Sequence, residues 1–379
     1  MENAMENKKH MYTQNQLVKL AKRENNNKRK YLIVNQLQGK HIPVKPSLAL
    51  NMFFELGHDI RRKYKNERLL LVGFAETATA IGSAVATLLK CNYIQTTREA
   101  IYGVQYLFFS EEHSHATEQK LVKDDIDEII GKTDRIIFIE DEVTTGNTIF
   151  NIINLLKEVY NNHVKFSVVS ILNGMNLEAE LACKKKEIDL HYLVKTNHEK
   201  YENTVDDIKE NNNYHKPRLE DMGLEYTEIV ANKYLDARRL INGGDYDSAC
   251  NNLYKQIADK IQFNKYSKIL VLGTEEFMYP GLFVAGKIEN LRIDVKFHAT
   301  TRSPICVSDE AGYPFKKRNQ LISLYDDERT TFVYDLDKYD CVIVVTDSLN
   351  KSTRGLNSLL SALKDSGNNT FFLVRWCQI

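Results

Sequence analysis

The stretch IIFIEDEVTTGNTIFNIINLL, residues 136–156, ends an apolar β-branched run in three acids and passes at once into Thr-Thr-Gly-Asn-Thr and a new helical pattern. A strand, a tight small-residue turn and a helix start are the parts of a parallel α/β unit. Such a turn gathers backbone N–H groups, threonine hydroxyls and the positive end of a helix around one point, which makes a seat for a phosphate. Carboxylates beside a phosphate repel it unless something stands between. A sugar whose hydroxyls they accept, helped by a divalent cation, fills that place. The stretch therefore predicts a phosphorylated ribose.

Working outward, the same alternation recurs. RLLLVG at 68–73 leads into ETATAIGSAVATLLK, RIIFIE at 135–140 into TIFNIINLLKEVY, and KFSVVSIL follows at 165–172. Strands alternating with helices imply a parallel, helix-covered sheet. YLIVNQLQGKHIPVKP reads as extended, with a helix starting near Ser47. Residues 196–222 are polar without a sustained apolar period and read as a long loop or lid. TEIVANKYLDARRLI and SACNNLYKQIADKI read as two helices flanking the turn NGGD, a domain junction. With 379 residues, 43% of them hydrophobic, two moderate cores can be buried. The expected division is 1–235 and 236–379.

Beyond the junction the chain repeats itself. LLLVGFAE (69–76) returns as ILVLGTEE (269–276), QTTR (95–98) as ATTR (299–302), and IIFIEDE (136–142) as VIVVTDS (342–348), at offsets of 200, 204 and 206 residues. Three matches in register point to a duplicated α/β unit. The second copy has SLNKST where the first has its Thr/Gly turn, so only the first is expected to seat a 5′-phosphate.

Charge and cysteine usage narrow the function. Lys plus Arg equals Asp plus Glu at 51 each, so no overall basic field points to nucleic acid or an anionic membrane. The six cysteines stand singly with no C-x-x-C pair, which disfavours a zinc knuckle or disulfide framework and favours a reduced, cytoplasmic setting. No apolar run approaches the roughly 20 residues of a membrane span.

FIEDEVTTGNT resembles the phosphoribosyl pyrophosphate (PRPP) motif of type I phosphoribosyltransferases: four hydrophobics, two acids, two variable positions, then T-T/S/A-G-x-T. The resemblance implies that Glu140 and Asp141 serve the ribose 2′- and 3′-hydroxyls and Mg²⁺, and that Thr144, Thr145, Gly146, Asn147 and Thr148 hold the 5′-phosphate. Glu142 departs from the usual hydrophobic residue. Over nearly its whole length the chain is similar to an orotate-phosphoribosyltransferase-like subfamily found with tellurite-resistance-type operons, whose C-terminal domain is named for a T-R-S-P motif. GKHIPVKP, GFAETATAIG, TTRE, EEHSHAT and EDEVTTGNT carry the first half; LGTEEFMYP, TTRSP and GYPF carry the second.

The expectation is thus an α/β protein of two parallel-sheet units, a type I phosphoribosyltransferase fold followed by a degenerate α/β repeat. Glu76, Thr77 and Ala78 lie where the pyrophosphate loop belongs, with Glu76 bound through Mg²⁺ or a cationic side chain. Arg98 could clamp pyrophosphate bidentately. EEHSHAT is read as a mobile catalytic loop in which His113 or His115 donates to the leaving group. Lys40 and His41 are read as hood residues near base or phosphate, or as a solvated turn. Glu275, Glu276 and Arg302 in the second unit either recognise the nucleophile or complete the first site across the interface. The activity implied is Mg²⁺-dependent transfer of ribose 5-phosphate between PRPP and a small nucleobase-like acceptor, in a chain that could form a homodimer. The alternative is a non-catalytic PRPP or nucleotide sensor on the same fold.

Overall fold

The computed structural model describes residues 11–24, 29–109, 119–160, 163–198, 201, 204–218 and 223–378. In the first unit five strands run parallel: Leu69–Gly73 (β1), Asn92–Gln95 (β2), Arg135–Val143 (β3), Lys165–Asn173 (β4) and Ile188–Lys195 (β5). Their spatial order is β2-β1-β3-β4-β5. The second unit uses Thr227–Ala231 (β6), Lys268–Gly273, Asp294–Ala299, Cys341–Thr346 and Phe371–Trp376, with Ile241–Asn242 (β7) between the first two in sequence. Numbered onward as β8 to β11, these strands form a second parallel sheet in the order β9-β8-β10-β11-β6.

Both sheets have the same winding. The chain steps from the first strand to one side, then crosses to the other side for the third, which puts a topological switch point between β1 and β3 and another between β8 and β10. In open parallel sheets the carboxyl ends at such a point hold ligands. Residues that matched in sequence also match in hydrogen bonding. Thr96 N donates to Gly73 O at 2.9 Å and Thr300 N to Gly273 O at 3.1 Å. Ala75 N donates to Thr96 Oγ1 at 2.8 Å, and Glu275 N to Thr300 Oγ1 at 3.0 Å.

The helices Pro46–Tyr64 (α1), Thr79–Leu89 (α2), Asn147–Tyr160 (α3), Gly243–Ala258 (α4) and Tyr279–Glu289 (α5) cover the sheets. Strand interiors such as Ile136–Ile139 and Ile269–Leu272 are almost wholly buried, as a sheet covered on both faces requires. The units share helices as well as strand ends. Glu289 at the end of α5 accepts from the backbone N and the hydroxyl of Ser47 at the start of α1, at 2.7 and 2.8 Å.

Three expectations are corrected. TEIVANKYLDARRLI is not a helix. Its first five residues alternate in exposure and pair with β11 as β6, and its last residue enters β7, which lies antiparallel on β2. β-branched alternation outweighed the helical period there. NGGD is not a free turn either: Asn242 caps α4 by accepting from Gly244 N at 2.8 Å, and both glycines are helical. Of the two readings of residues 196–222, the described part is a loop and not a detached lid, since Val205 is buried, Asn211 N donates to Val307 O, and Tyr214–His215 pairs with Arg318–Asn319. The junction expected at 235/236 therefore lies between two strands that have exchanged sheets.

Gly243 brings α4 onto α2 so closely that an added Cβ would stand 2.0 Å from the backbone oxygen of Ala86, whereas one on Gly244 would meet the Asn242 side chain at 3.1 Å and the Lys90 side chain at 3.7 Å. Gly243→Ala is expected to lower unfolding free energy by about 2 kcal/mol or more. Gly244→Ala should change it by less than about 1 kcal/mol. Chemical denaturation of the two variants checks the contrast.

Candidate active site

The acids of β3 lie at the first switch point. Asp141 accepts from Thr77 Oγ1 at 3.1 Å, which ties the end of β3 to the loop that follows β1. Glu140 and Glu142 line a cavity of about 140 Å³ together with Thr144, Thr145, Gly146, Asn147 and Thr148. Strand alternation sends Asp141 toward the loop after β1 and Glu140 and Glu142 toward the turn, with all three at the carboxyl edge of the sheet. At Gly146 the chain takes φ +78, and a Cβ there would stand 2.7 Å from the Met175 methyl, so the turn into α3 needs glycine.

Glu142, whose role the motif left open, anchors a hairpin over the site. Val18–Lys22 pairs antiparallel with Tyr31–Asn35, and Arg29 from its near end donates to both Glu142 oxygens at 2.7 and 3.0 Å. His198 Nε2 lies 3.1 Å from the same carboxylate and its Nδ1 2.9 Å from Tyr31 Oη. Burial lowers the His198 pKa despite Glu142. A neutral ring donating from Nε2 and accepting at Nδ1 satisfies both contacts. These residues and the Thr144–Asn147 turn border a cleft of about 1360 Å³, closed on the far side by Gly174–Ala179, Lys195 and Thr196. Sequence reading passed over Arg29, Tyr31, Lys195 and His198 because single residues of these types carry no pattern.

The remaining candidates gather where the carboxyl ends of the two sheets meet. Glu76 is buried against Lys40 and lies 3.5 Å from Arg302. It is thus met by cationic side chains, the second of the two options the sequence left. Burial would raise its pKa, but Lys40 and Arg302 outweigh that and hold it low. Lys40 is 1% exposed and donates to Glu275 O and Thr300 O at 2.8 and 3.0 Å. His41 is buried against Thr301 and Phe315, and burial with Lys40 beside it pulls its pKa well below the ordinary value. Neither residue is a solvated turn; both are packed between the units, Lys40 against Glu76 of the loop after β1.

Glu276 accepts from Thr97 Oγ1 at 2.7 Å and from Arg98 N at 2.9 Å, and Arg238 approaches it at 3.4 Å. Arg302 donates to Glu275 at 2.6 Å and also contacts Glu99. Ala78 N donates to Phe74 O at 3.0 Å, closing the loop in which Glu76 and Thr77 stand. His113 and His115 lie outside the described residues; the strands on either side, Tyr106–Phe109 and Gln119–Val122, pair antiparallel. Among the described residues no group of three or more His, Cys, Asp or Glu could hold a metal by itself, and no helix is long and apolar enough to cross a membrane.

This is a doubly wound α/β protein whose first switch point carries acids beside a threonine-glycine turn that opens a helix. Residues 17–198 match the family model described as phosphoribosyl transferase, and residues 244–363 match that of the TRSP domain found C-terminal to it. The chain belongs to this two-part phosphoribosyltransferase family. Among solved structures it is similar to adenine phosphoribosyltransferase from Rhodothermus marinus (TM-score 0.34, 14% identity, 48% of this chain and 96% of that one). A second likeness is the Trypanosoma brucei enzyme, in complex with AMP, pyrophosphate and ribose-5-phosphate (0.35, 14%, 47% and 76%). A third is the Giardia lamblia enzyme with 9-deazaadenine (0.33, 15%, 48% and 95%). Comparison with curated proteins gave no match.

Burial, and then the neighbouring Glu142, raises the Asp141 pKa to about 6. A raised carboxyl pKa means that the fold favours the protonated form. That stabilisation is complete below the unfolded value, near 4, and is lost as pH rises through 6. Asparagine cannot ionise and so avoids the loss. Asp141→Asn is expected to raise the unfolding free energy of the ligand-free chain at pH 8 by roughly 1–3 kcal/mol, with the gain vanishing near pH 4. Denaturant titrations at the two pH values measure the difference; equal stabilities at pH 8 would show that Asp141 is well solvated.

Proposed function

We propose that the protein transfers a ribose 5-phosphate unit between PRPP and a small nitrogenous, nucleobase-like acceptor. A bond forms between the acceptor nitrogen and ribose C1, the bond from C1 to the pyrophosphate oxygen breaks, pyrophosphate departs, and the acceptor's proton passes to solvent. The observation that carries the reading is the juxtaposition of three parts at one switch point: the Thr144–Thr148 turn opening α3, the acids ending β3, and the loop of Glu76–Ala78 joined to them through Thr77 and Asp141.

In this reading the turn seats the 5′-phosphate, Glu140 and Asp141 accept from the ribose hydroxyls, and the 76–78 loop with Arg98 holds the leaving group. Rate enhancement comes from fixed positioning and from carboxylate charge beside a ribose that becomes cationic. Asp141, with its pKa raised only to about 6, is largely ionised at neutral pH, and a divalent cation that arrives with a phosphorylated substrate needs only one or two carboxylates. Glu140 and Asp141 would hold Mg²⁺, which would neutralise charge on the pyrophosphate. The acceptor belongs in the cleft between the Thr144–Asn147 turn and the hairpin, where Arg29, Tyr31 and His198 offer donors and an aromatic face. Residues 1–235 are assigned the transfer site and 236–379 the TRSP part. Six free cysteines fit a cytoplasmic setting.

Calorimetric titration with PRPP and Mg²⁺ should find one site per chain, and an acceptor screen reading pyrophosphate should find release. Asp141→Asn is expected to lower turnover by about 10²-fold or more while the chain stays folded. Binding without release from any acceptor would assign the site to sensing, and no PRPP binding would refute the proposal.

A further inference from the structure

The loop proposed to hold pyrophosphate contains an acid, Glu76, that would repel a diphosphate if its charge faced the ligand. Here that charge is turned against cations on the other side. One is Lys40, from its own unit; the other is Arg302, from the T-R-S-P segment of the second. Arg302 lies within 4 Å of four acids, two from each unit: Glu76 at 3.5 Å, Glu276 at 3.7 Å, Glu275 at 2.6 Å, and Glu99. The arrangement is reciprocal. The matching segment of the first unit, Thr97 and the Arg98 amide, holds Glu276, which occupies in the second loop the place of Glu76 in the first. Thr79 Oγ1 adds a bond to Glu276 O at 2.9 Å, so the start of α2 is fastened to the second loop directly.

We infer that Arg302 is a positioning residue for the pyrophosphate loop of the first unit, acting through Glu76 across the interface between the units. This rests on the PRPP reading above. Removing the guanidinium leaves Glu76, Glu99, Glu275 and Glu276 against Lys40, Arg98, Arg238 and Arg329. Buried carboxylates that lose a partner must take up a proton or move toward solvent. Glu76 stands in the loop itself, so displacing its carboxylate displaces the loop, which loses both its geometry and its welcome for an anion. Arg329 is the built-in control: it pairs with Glu99 and Glu275 at 2.6 and 3.0 Å, and no contact of it with Glu76 exists among the described residues.

The full-length chain is tested as Arg302→Met, Arg302→Lys, Arg329→Met and the double variant Arg302→Met/Glu76→Gln. Amide hydrogen exchange over residues 73–79 is followed without ligand, and PRPP affinity is titrated in Mg²⁺. Arg302→Met should speed exchange there and weaken PRPP binding, each by about tenfold or more. Its effect should fall on KM for PRPP more than on kcat. Arg302→Lys keeps the charge and should stay within about threefold of wild type, as should Arg329→Met. The double variant, which also relieves the unpaired acid and so guards against a single variant that does not fold, should regain at least about threefold of the lost affinity. Exchange and affinity unchanged in Arg302→Met, or a double variant as weak as the single one, would overturn the inference. A wild-type chain that binds no PRPP would overturn the proposed function instead, and the ligand-free exchange would then decide the positioning role alone.

Discussion

The meeting of the two sheets is a layer of paired charges, and Glu76, Glu275, Glu276, Lys40 and Arg302 take their positions from it. Arg302, Arg329, Arg238 and Lys40 face Glu76, Glu99, Glu275, Glu276 and Asp347 at the carboxyl edges of two parallel sheets. Taking such groups out of water is costly, and the cost is offset only when each finds several well-placed partners. Arg302 and Glu276 meet that condition. Burial would lower the arginine's pKa, yet Glu275, Glu76, Glu276 and Glu99 together raise it. Burial would raise that of Glu276, yet Arg302 and Arg238 hold it low. A layer of this kind adds little net stability for its size. It does penalise any other relative placement of the units, because a shift of a few ångströms would strand desolvated charges.

The two switch points have diverged around this layer. In the first, Glu140 and Glu142 at the end of β3 line a cavity together with the Thr-Gly turn and Arg29 of the hairpin. In the second, Asp347 at the end of β10 is covered by the chain itself: Arg238, Tyr234 at 2.9 Å and Tyr325 at 2.6 Å all donate to it. The place a ligand would take in a duplicated unit is filled by side chains. Loss of the Thr/Gly turn and occupation of the site are two aspects of one change. A carboxylate with no ligand to meet is cheaper to keep when protein donors satisfy it.

The local chemistry was legible in the chain because it is short-range. A β-branched run, an acid pair, a turn that demands positive φ at Gly146 and an amphipathic helix occupy consecutive residues, so residues 136–156 carry the strand, the turn and the helix together. The duplication was legible because matched segments kept their order, and the common winding of the two sheets follows from it. The misreadings arose where a segment's neighbours are distant. Thr227–Ala231 is a strand because β11, more than a hundred residues away, offers it an edge, and Gly243 is helical because α2 stands behind it.

What the sequence determined by itself is the set of units and their chemical endowment: two α/β windings, one Thr-Gly turn opening a helix, and acids and arginines at the strand ends. Tertiary structure alone decided which acid meets which cation. Glu76 and Arg302 are 226 positions apart, and nothing in either segment states that one faces the other. Their pairing follows from two sheets packed with their carboxyl edges together, where buried charge must be matched across the junction because water is not there to match it.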